Sequence, residues 1–196
     1  GYKIKNLYID KPAEDYIGLF GSIQNSDLSK IGLVGAAVSG RQYVGALAGV
    51  SPNGSGKITE CYLKSSGMVY GEYLTGGLIG SLKCSWLDSD WNSNDKIINC
   101  YSRCRVIGNG GLVGNTGAFP SIGHAYSTGK VTGTSSWEIG GLSGGCIYDS
   151  FTDCNYWDTE TSEILKSYSA LGRTSAEMKD LCQNTYTGWD FEKDRK

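Results

Sequence analysis

Along the chain, apolar runs of four to six residues alternate with turns of glycine, serine and asparagine, and the runs return in the same order. One phrase marks the return. It reads Ile17-Gly18-Leu19-Phe20-Gly21, then Gly45-Ala46-Leu47-Ala48-Gly49, then Gly76-Gly77-Leu78-Ile79-Gly80. It comes back as Gly110-Gly111-Leu112-Val113-Gly114 and Gly140-Gly141-Leu142-Ser143-Gly144, and the closing glycines stand 28, 31, 34 and 30 residues apart. The runs are too short for helices and are rich in valine, isoleucine, tyrosine and threonine, which is the pattern of strands between turns. Units of this length cannot bury a face alone and must stack on their neighbours. The pattern therefore predicts an all-β chain, a β-solenoid or β-helix of about five coils with repeats of about 30 residues. A β-sandwich is the alternative.

A second phrase lies between the glycine phrases. Ile58-Thr59-Glu60-Cys61-Tyr62 through Gly71 lines up with Ile98-Asn99-Cys100-Tyr101-Ser102 through Gly108, and with His124-Ala125-Tyr126-Ser127 through Gly133. A weaker copy runs from Leu28 to Gly40, and a decayed one is Asp153-Cys154-Asn155-Tyr156. Two inward ladders follow: Leu19, Leu47, Leu78, Leu112 and Leu142, and Ile31, Cys61, Cys100, Ala125 and Cys154. The recurring glycines are expected at corners needing positive φ, or where backbones approach closely.

These residues resemble the GLUG-motif repeat family. Its pattern is an isoleucine-led strand, a Cys/Ala-Tyr-Ser step, Gly-x-Val-x-Gly and then Gly-Gly-Leu-Val-Gly, and Ile98 to Gly114 and Ile122 to Gly144 match it closely. The tail, with Asn155-Tyr156-Trp157-Asp158, Thr174 to Lys179 and Gly188-Trp189-Asp190-Phe191, is similar to the segment that follows such repeats. The resemblance implies secreted and cell-surface proteins of bacteria and archaea: adhesin-like molecules, and the non-catalytic parts of immunoglobulin-A-protease-like proteins. It brings no catalytic residues. The first two units depart from the pattern by losing the Tyr-Ser step, and an insertion precedes the fourth.

Composition narrows the partners. The formal charge is −2, the sequence pI is near 5.4, and no arginine-lysine stripe runs along the chain, so nucleic acid is not an expected partner. The longest nearly apolar run, Ile31 to Val38, is too short to span a bilayer. Seven cysteines cannot all pair internally. Cys61 and Cys100 are expected as buried thiols in the inward ladder, where in-register spacing suits a disulfide poorly. Cys84, Cys104, Cys146 and Cys182 lie off it and are free to pair. With one histidine in the chain, a zinc site is not expected.

One stretch breaks the repeat, the loop 85–95. Asp88, Asp90, Asn92 and Asn94 alternate as oxygen ligands do in a calcium loop, but Ser93 and Asn99 stand where glycine and glutamate belong, so the match is partial. Trp86 and Trp91 beside these carboxylates suit a sugar ring or a host protein. The plainer reading is a solvated loop whose tryptophans fold back over the edge. No cofactor is required, and calcium is the one metal candidate.

Catalysis finds little support. Carboxylates are sparse within the repeats, and the second acidic group, Asp149, Asp153, Asp158 and Glu160, is expected to solvate the end of the repeat array. His124 falls where other units place Glu60 and Asn99, and so reads as a turn residue. Residues 1–157 are expected as the repeats and 158–196 as a linker and cap, the whole being a piece of a larger extracellular protein. Thr174-Ser175-Ala176-Glu177 resembles a capping box. A short helix carrying Met178 and Leu181 should follow and, with Trp157, Trp189 and Phe191, cover the last coil. The expected function is a non-enzymatic stalk or display surface of adhesin type, joined to the other domains of its parent. The alternatives are a glycan- or host-protein-binding module, a subunit stacking end to end, and an accessory domain of a surface protease.

Overall fold

In the computed structural model, which describes residues 1–52, 56–64, 66–82, 96–117, 121–133, 139–146 and 154–180, every strand pairing among the described residues is parallel, and all but the last, Tyr156–Asp158 with Leu171–Arg173, join like positions of successive repeats. The largest sheet has seven strands. They are Tyr2–Lys5, Ile31–Val34, Tyr62–Lys64, Tyr101–Ser102, Tyr126–Ser127, Tyr156–Asp158 and Leu171–Arg173. A second sheet joins Tyr8–Asp10, Ala37–Ser39, Met68–Tyr70, Arg105–Ile107 and Val131–Thr132. The glycine phrases supply a third, through Phe20–Ser22, Ala48–Val50, Ile79–Ser81, Val113–Gly117 and Ser143–Cys146. Two smaller sheets complete the set. The chain visits the sheets in turn and returns to the first beside its previous strand, so the protein is nearly all β and its parallel sheets fit a β-helix-like fold.

Alternation along each strand sends one side chain in and the next out, so in-register pairing stacks like residues into columns. Leu47, Leu78, Leu112 and Leu142 are fully buried, as the leucine phrase predicts, and Leu19 packs half-buried against them. Val38, Val69, Val106 and Val131 form another inward column, and Ile58, Ile97 and Ile122 a third. The strand step therefore begins on Ile97, one residue before the Ile98 that the sequence alignment aligned with Ile58.

The glycines act differently from one of the two expectations. Among the described glycines only Gly35 and Gly117 have positive φ. Left-handed corners are instead held by Lys30, Glu60, Asn99 and His124, one column of the repeat at φ between 54° and 57°, and by Tyr16, Tyr43 and Leu74 in another. The phrase glycines serve close approach. A Cβ on Gly76 would strike the amide nitrogen of Gly114 and the carbonyl of Ile79. Gly76, Gly110 and Gly140 bridge one another in parallel, so this column is backbone against backbone.

The two ends of the array differ. Beyond Asp158 a short helix, Thr159–Ser162, starts where Asp158 Oδ1 accepts the amides of Glu160 and Thr161, both at 3.0 Å. Asp158 is thus a buried capping residue and not the solvating carboxylate that composition suggests. The chain then runs along the outer edge of Ser143–Cys146. Ser167 Oγ accepts from Leu142 N and Ser143 N at 3.0 Å each, and Lys166 O accepts from Gly141 N. The expected capping box forms, with Thr174 N donating to Glu177 Oε2 at 2.7 Å and Glu177 N to Thr174 Oγ1 at 3.2 Å. It opens only a three-residue 3-10 turn, Glu177–Lys179, instead of an α-helix, and Leu181, Trp189 and Phe191 lie outside the described residues. At the other end, the outer edges of Tyr2–Lys5, Tyr8–Asp10, Phe20–Ser22 and Leu28–Ser29 have no partner strand among the described residues. Tyr2 is 81% exposed there and Tyr8 73%.

Candidate functional site

The residues that the sequence nominates, Trp86 and Trp91 for a sugar or protein and Asp88, Asp90, Asn92 and Asn94 for calcium, all lie outside the described residues, as do Cys84 and Cys182. Among the described residues no three histidine, cysteine or acidic side chains gather into a metal-binding group. Three described features carry chemistry: an interior thiol column, an outward tyrosine column and a basic corner.

The thiols sit where the repeat places them. Cys61 and Cys100 occupy adjacent inward positions, buried and unpaired. Cys100 Sγ donates to the carbonyls of Ile98 at 3.3 Å and Ile58 at 3.4 Å, and Cys61 Sγ to Thr59 O at 3.4 Å. The neighbouring Cys100 thiol lowers Cys61, whereas burial pushes Cys100 well above the usual thiol range. Cys154 is not on this ladder. Tyr126 pairs with Tyr156, so the inward position belongs to Asn155. The same register sets Cys154 level with His124, one residue before the inward position. Asn155 is fully buried: Oδ1 accepts Ala125 N at 3.1 Å, and Nδ2 donates to Ile122 O at 2.8 Å and Ser169 O at 3.0 Å.

Cys104, beside Ser102 Oγ at 3.7 Å, is also buried and free, and burial pushes it up to about 12. The folded protein thus keeps this proton while the unfolded thiol loses it above about 8.5. Its contribution to stability is complete below that value and falls as pH rises towards 12. Urea unfolding under reductant should show about 2 kcal/mol less stability at pH 10 than at pH 8 from this group. The Cys104→Ala variant should lose that part of the pH slope, and an unchanged slope would show that the thiol titrates alike in both states.

On the outside of the same sheet, Tyr62, Tyr101 and Tyr126 stack with ring centroids 5.1 and 4.9 Å apart and planes within 6°. Tyr156 continues the column in register but is buried, with the Arg173 guanidinium 5.6 Å from its ring centroid. Two residues on, the strands turn a corner. Leu63 pairs with Ser102, which sets Lys64 opposite Arg103, and Val106 pairs with Val131, which sets Arg105 opposite Lys130. All four cations are exposed. Lys130 is bound by Glu163 at 2.7 Å, but no carboxylate among the described residues holds Lys64, Arg103 or Arg105. Sequence reading missed this group because its members stand up to 41 residues apart. Writing the repeats beneath one another brings Lys64 to Arg103, and that is the signal that could have found it.

No family model matches the chain. The chain is similar to a segment of immunoglobulin A1 proteases. It is 31% identical over 171 residues to one such protein of Streptococcus pneumoniae and 28% identical over 172 residues to another from that species. The first match covers 85% of this chain and 8% of the relative, the second 82% and 9%. Halomucin of Haloquadratum walsbyi is 37% identical over 82 residues, which are 41% of this chain and 1% of that protein. Among solved structures, a putative immunoglobulin A1 protease from Bacteroides ovatus superimposes with a TM-score of 0.53 at 18% identity, covering 90% of this chain and 68% of that one. The structural likeness concerns the fold. The sequence likeness is to small parts of much longer proteins.

Proposed function

We propose that this chain is a non-catalytic, extracellular β-solenoid module of the GLUG type, serving as a display surface within a larger protein of the immunoglobulin A1 protease kind. The observation that supports it is the in-register pairing of like positions, repeat after repeat, which makes flat outer faces of stacked side chains. Its role in a protease-like parent would be accessory. On this reading residues 1–157 are the repeats, and the segment from 158 onward ends the array. No helix among the described residues is long and apolar enough to cross a membrane.

Display is favoured over a stalk by a length argument. Six strand spacings of about 4.8 Å across the seven-stranded sheet give about 29 Å of rise. A single helix of the same 173 residues would span about 260 Å. A repeat that gains so little length per residue mainly supplies surface.

The unpaired edges of the first strands, with Tyr2 and Tyr8 exposed on them, favour a second reading in which copies join end to end. Light scattering should then show association that rises with concentration and disappears in the Tyr8→Pro variant, since proline breaks a pairing edge. A monomer at high concentration would remove that reading. The display role itself is tested by coating surfaces with the purified chain and offering host glycoproteins, including immunoglobulin A1. Saturable capture with the captured protein intact is expected. Cleavage of it by this chain would contradict the proposal.

A further inference from the structure

The basic corner is a local conflict within the fold. Like charges placed opposite each other on neighbouring strands destabilise a sheet, and here two such pairs adjoin: Lys64 with Arg103, and Arg105 with Lys130. Arg103 and Arg105 flank the buried Cys104, so both project outward from the same turn. Among the described residues Lys130 alone of the four has a carboxylate, Glu163. Asp158, the nearest acid by register, is two strands beyond Arg103, and its oxygens are taken by Glu160 N, Thr161 N and Ser175 Oγ. Lys5 extends the exposed cations two strands the other way. Lys64, Arg103 and Arg105 thus form a cluster of positive charge that no carboxylate among the described residues offsets, on a chain whose formal charge is −2.

Beside the corner lies the tyrosine column, with Met68 37% exposed opposite Arg105. Cations next to aromatic edges, phenolic hydroxyls and a thioether offer an anionic group its counter-charge and a sugar ring its apolar and hydrogen-bonding contacts. We propose that Lys64, Arg103 and Arg105 bind the sulfate or carboxylate groups of an acidic glycan that lies along the tyrosine column. The proposal rests on the display reading and gives it a ligand class and a site apart from the loop 85–95. Duplex DNA fits less well. Affinity for it grows with the number of phosphates neutralised, and this corner offers three cations without a carboxylate among the described residues.

The test is retention of the 196-residue chain on immobilised heparin, with neutral dextran and duplex DNA in parallel. Retention on heparin should fall with salt, and dextran should not hold the protein. The triple variant Lys64→Ala, Arg103→Ala, Arg105→Ala should lose about tenfold or more in affinity. The triple Lys11→Ala, Lys57→Ala, Lys179→Ala, with the same change of charge elsewhere, should stay within about twofold. Arg103→Gln alone, read beside a circular dichroism spectrum, keeps the site testable should the triple variant unfold, and should itself weaken heparin binding. Equal losses in the two triples, DNA held as tightly as heparin, or no retention on heparin would each overturn the proposal. Capture of a neutral glycan or a protein that survives the corner variants would overturn this site and leave the display role standing.

Discussion

Gly110→Ala should prevent the middle of the array from closing, with a loss of more than about 3 kcal/mol. The new methyl would run into the carbonyl of Val113 and stand 2.7 Å from the amide nitrogen of Gly144. Both obstacles are backbone, one in the same turn and one in the next repeat, so no rotamer change relieves them. Gly123→Ala is the control. Nothing lies within 4 Å of the methyl it would add, and its φ is not in the left-handed region. It should be neutral or slightly stabilising, by about 0.5 kcal/mol. Urea midpoints of the two variants measure the contrast. Equal midpoints would mean that the glycine phrase does not serve close approach between repeats.

Asn155→Ala should cost about 3 kcal/mol. The amide replaces a hydrophobic or thiol side chain at the inward column and joins three backbone groups across two neighbouring strands. Removing it leaves the Ala125 amide and the carbonyls of Ile122 and Ser169 buried without this partner, at about 1–3 kcal/mol for each unsatisfied group before relaxation. The Ala125 amide should also exchange with solvent far faster in the variant than in the parent. A loss below about 1 kcal/mol would show that water or a shift of strand replaces the side chain.

The columns were legible because they repeat. Leu47, Leu78, Leu112 and Leu142 could be stacked from their spacing alone, and parallel pairing put them in one buried line. His124 was legible as a turn residue for the same reason, since it shares its left-handed corner with Lys30, Glu60 and Asn99. The residues that depart from the repeat were harder to read. The register of Tyr126 with Tyr156 puts Asn155, and not Cys154, on the inward line, and a polar side chain there gave no signal until its three partners were visible. Asp158 looked like a solvated acid because nothing in the sequence announces that its oxygens cap a helix and bind Ser175. The basic corner was invisible for another reason: charge runs are read along the chain, and these cations meet across it. Of the nominated loop, Trp86 to Asp95, the described residues say nothing.

The most direct test of the account is the sense and register of strand pairing, read by nuclear Overhauser contacts in the labelled chain. Parallel in-register sheets require amide-to-Hα contacts joining Leu63 to Ser102 and Ser102 to Ser127, with protected amides at Leu47, Leu78 and Leu112. Strong Hα-to-Hα contacts between strands, which arise where antiparallel partners bring Cα atoms to about 4.5 Å, would contradict it and restore the sandwich.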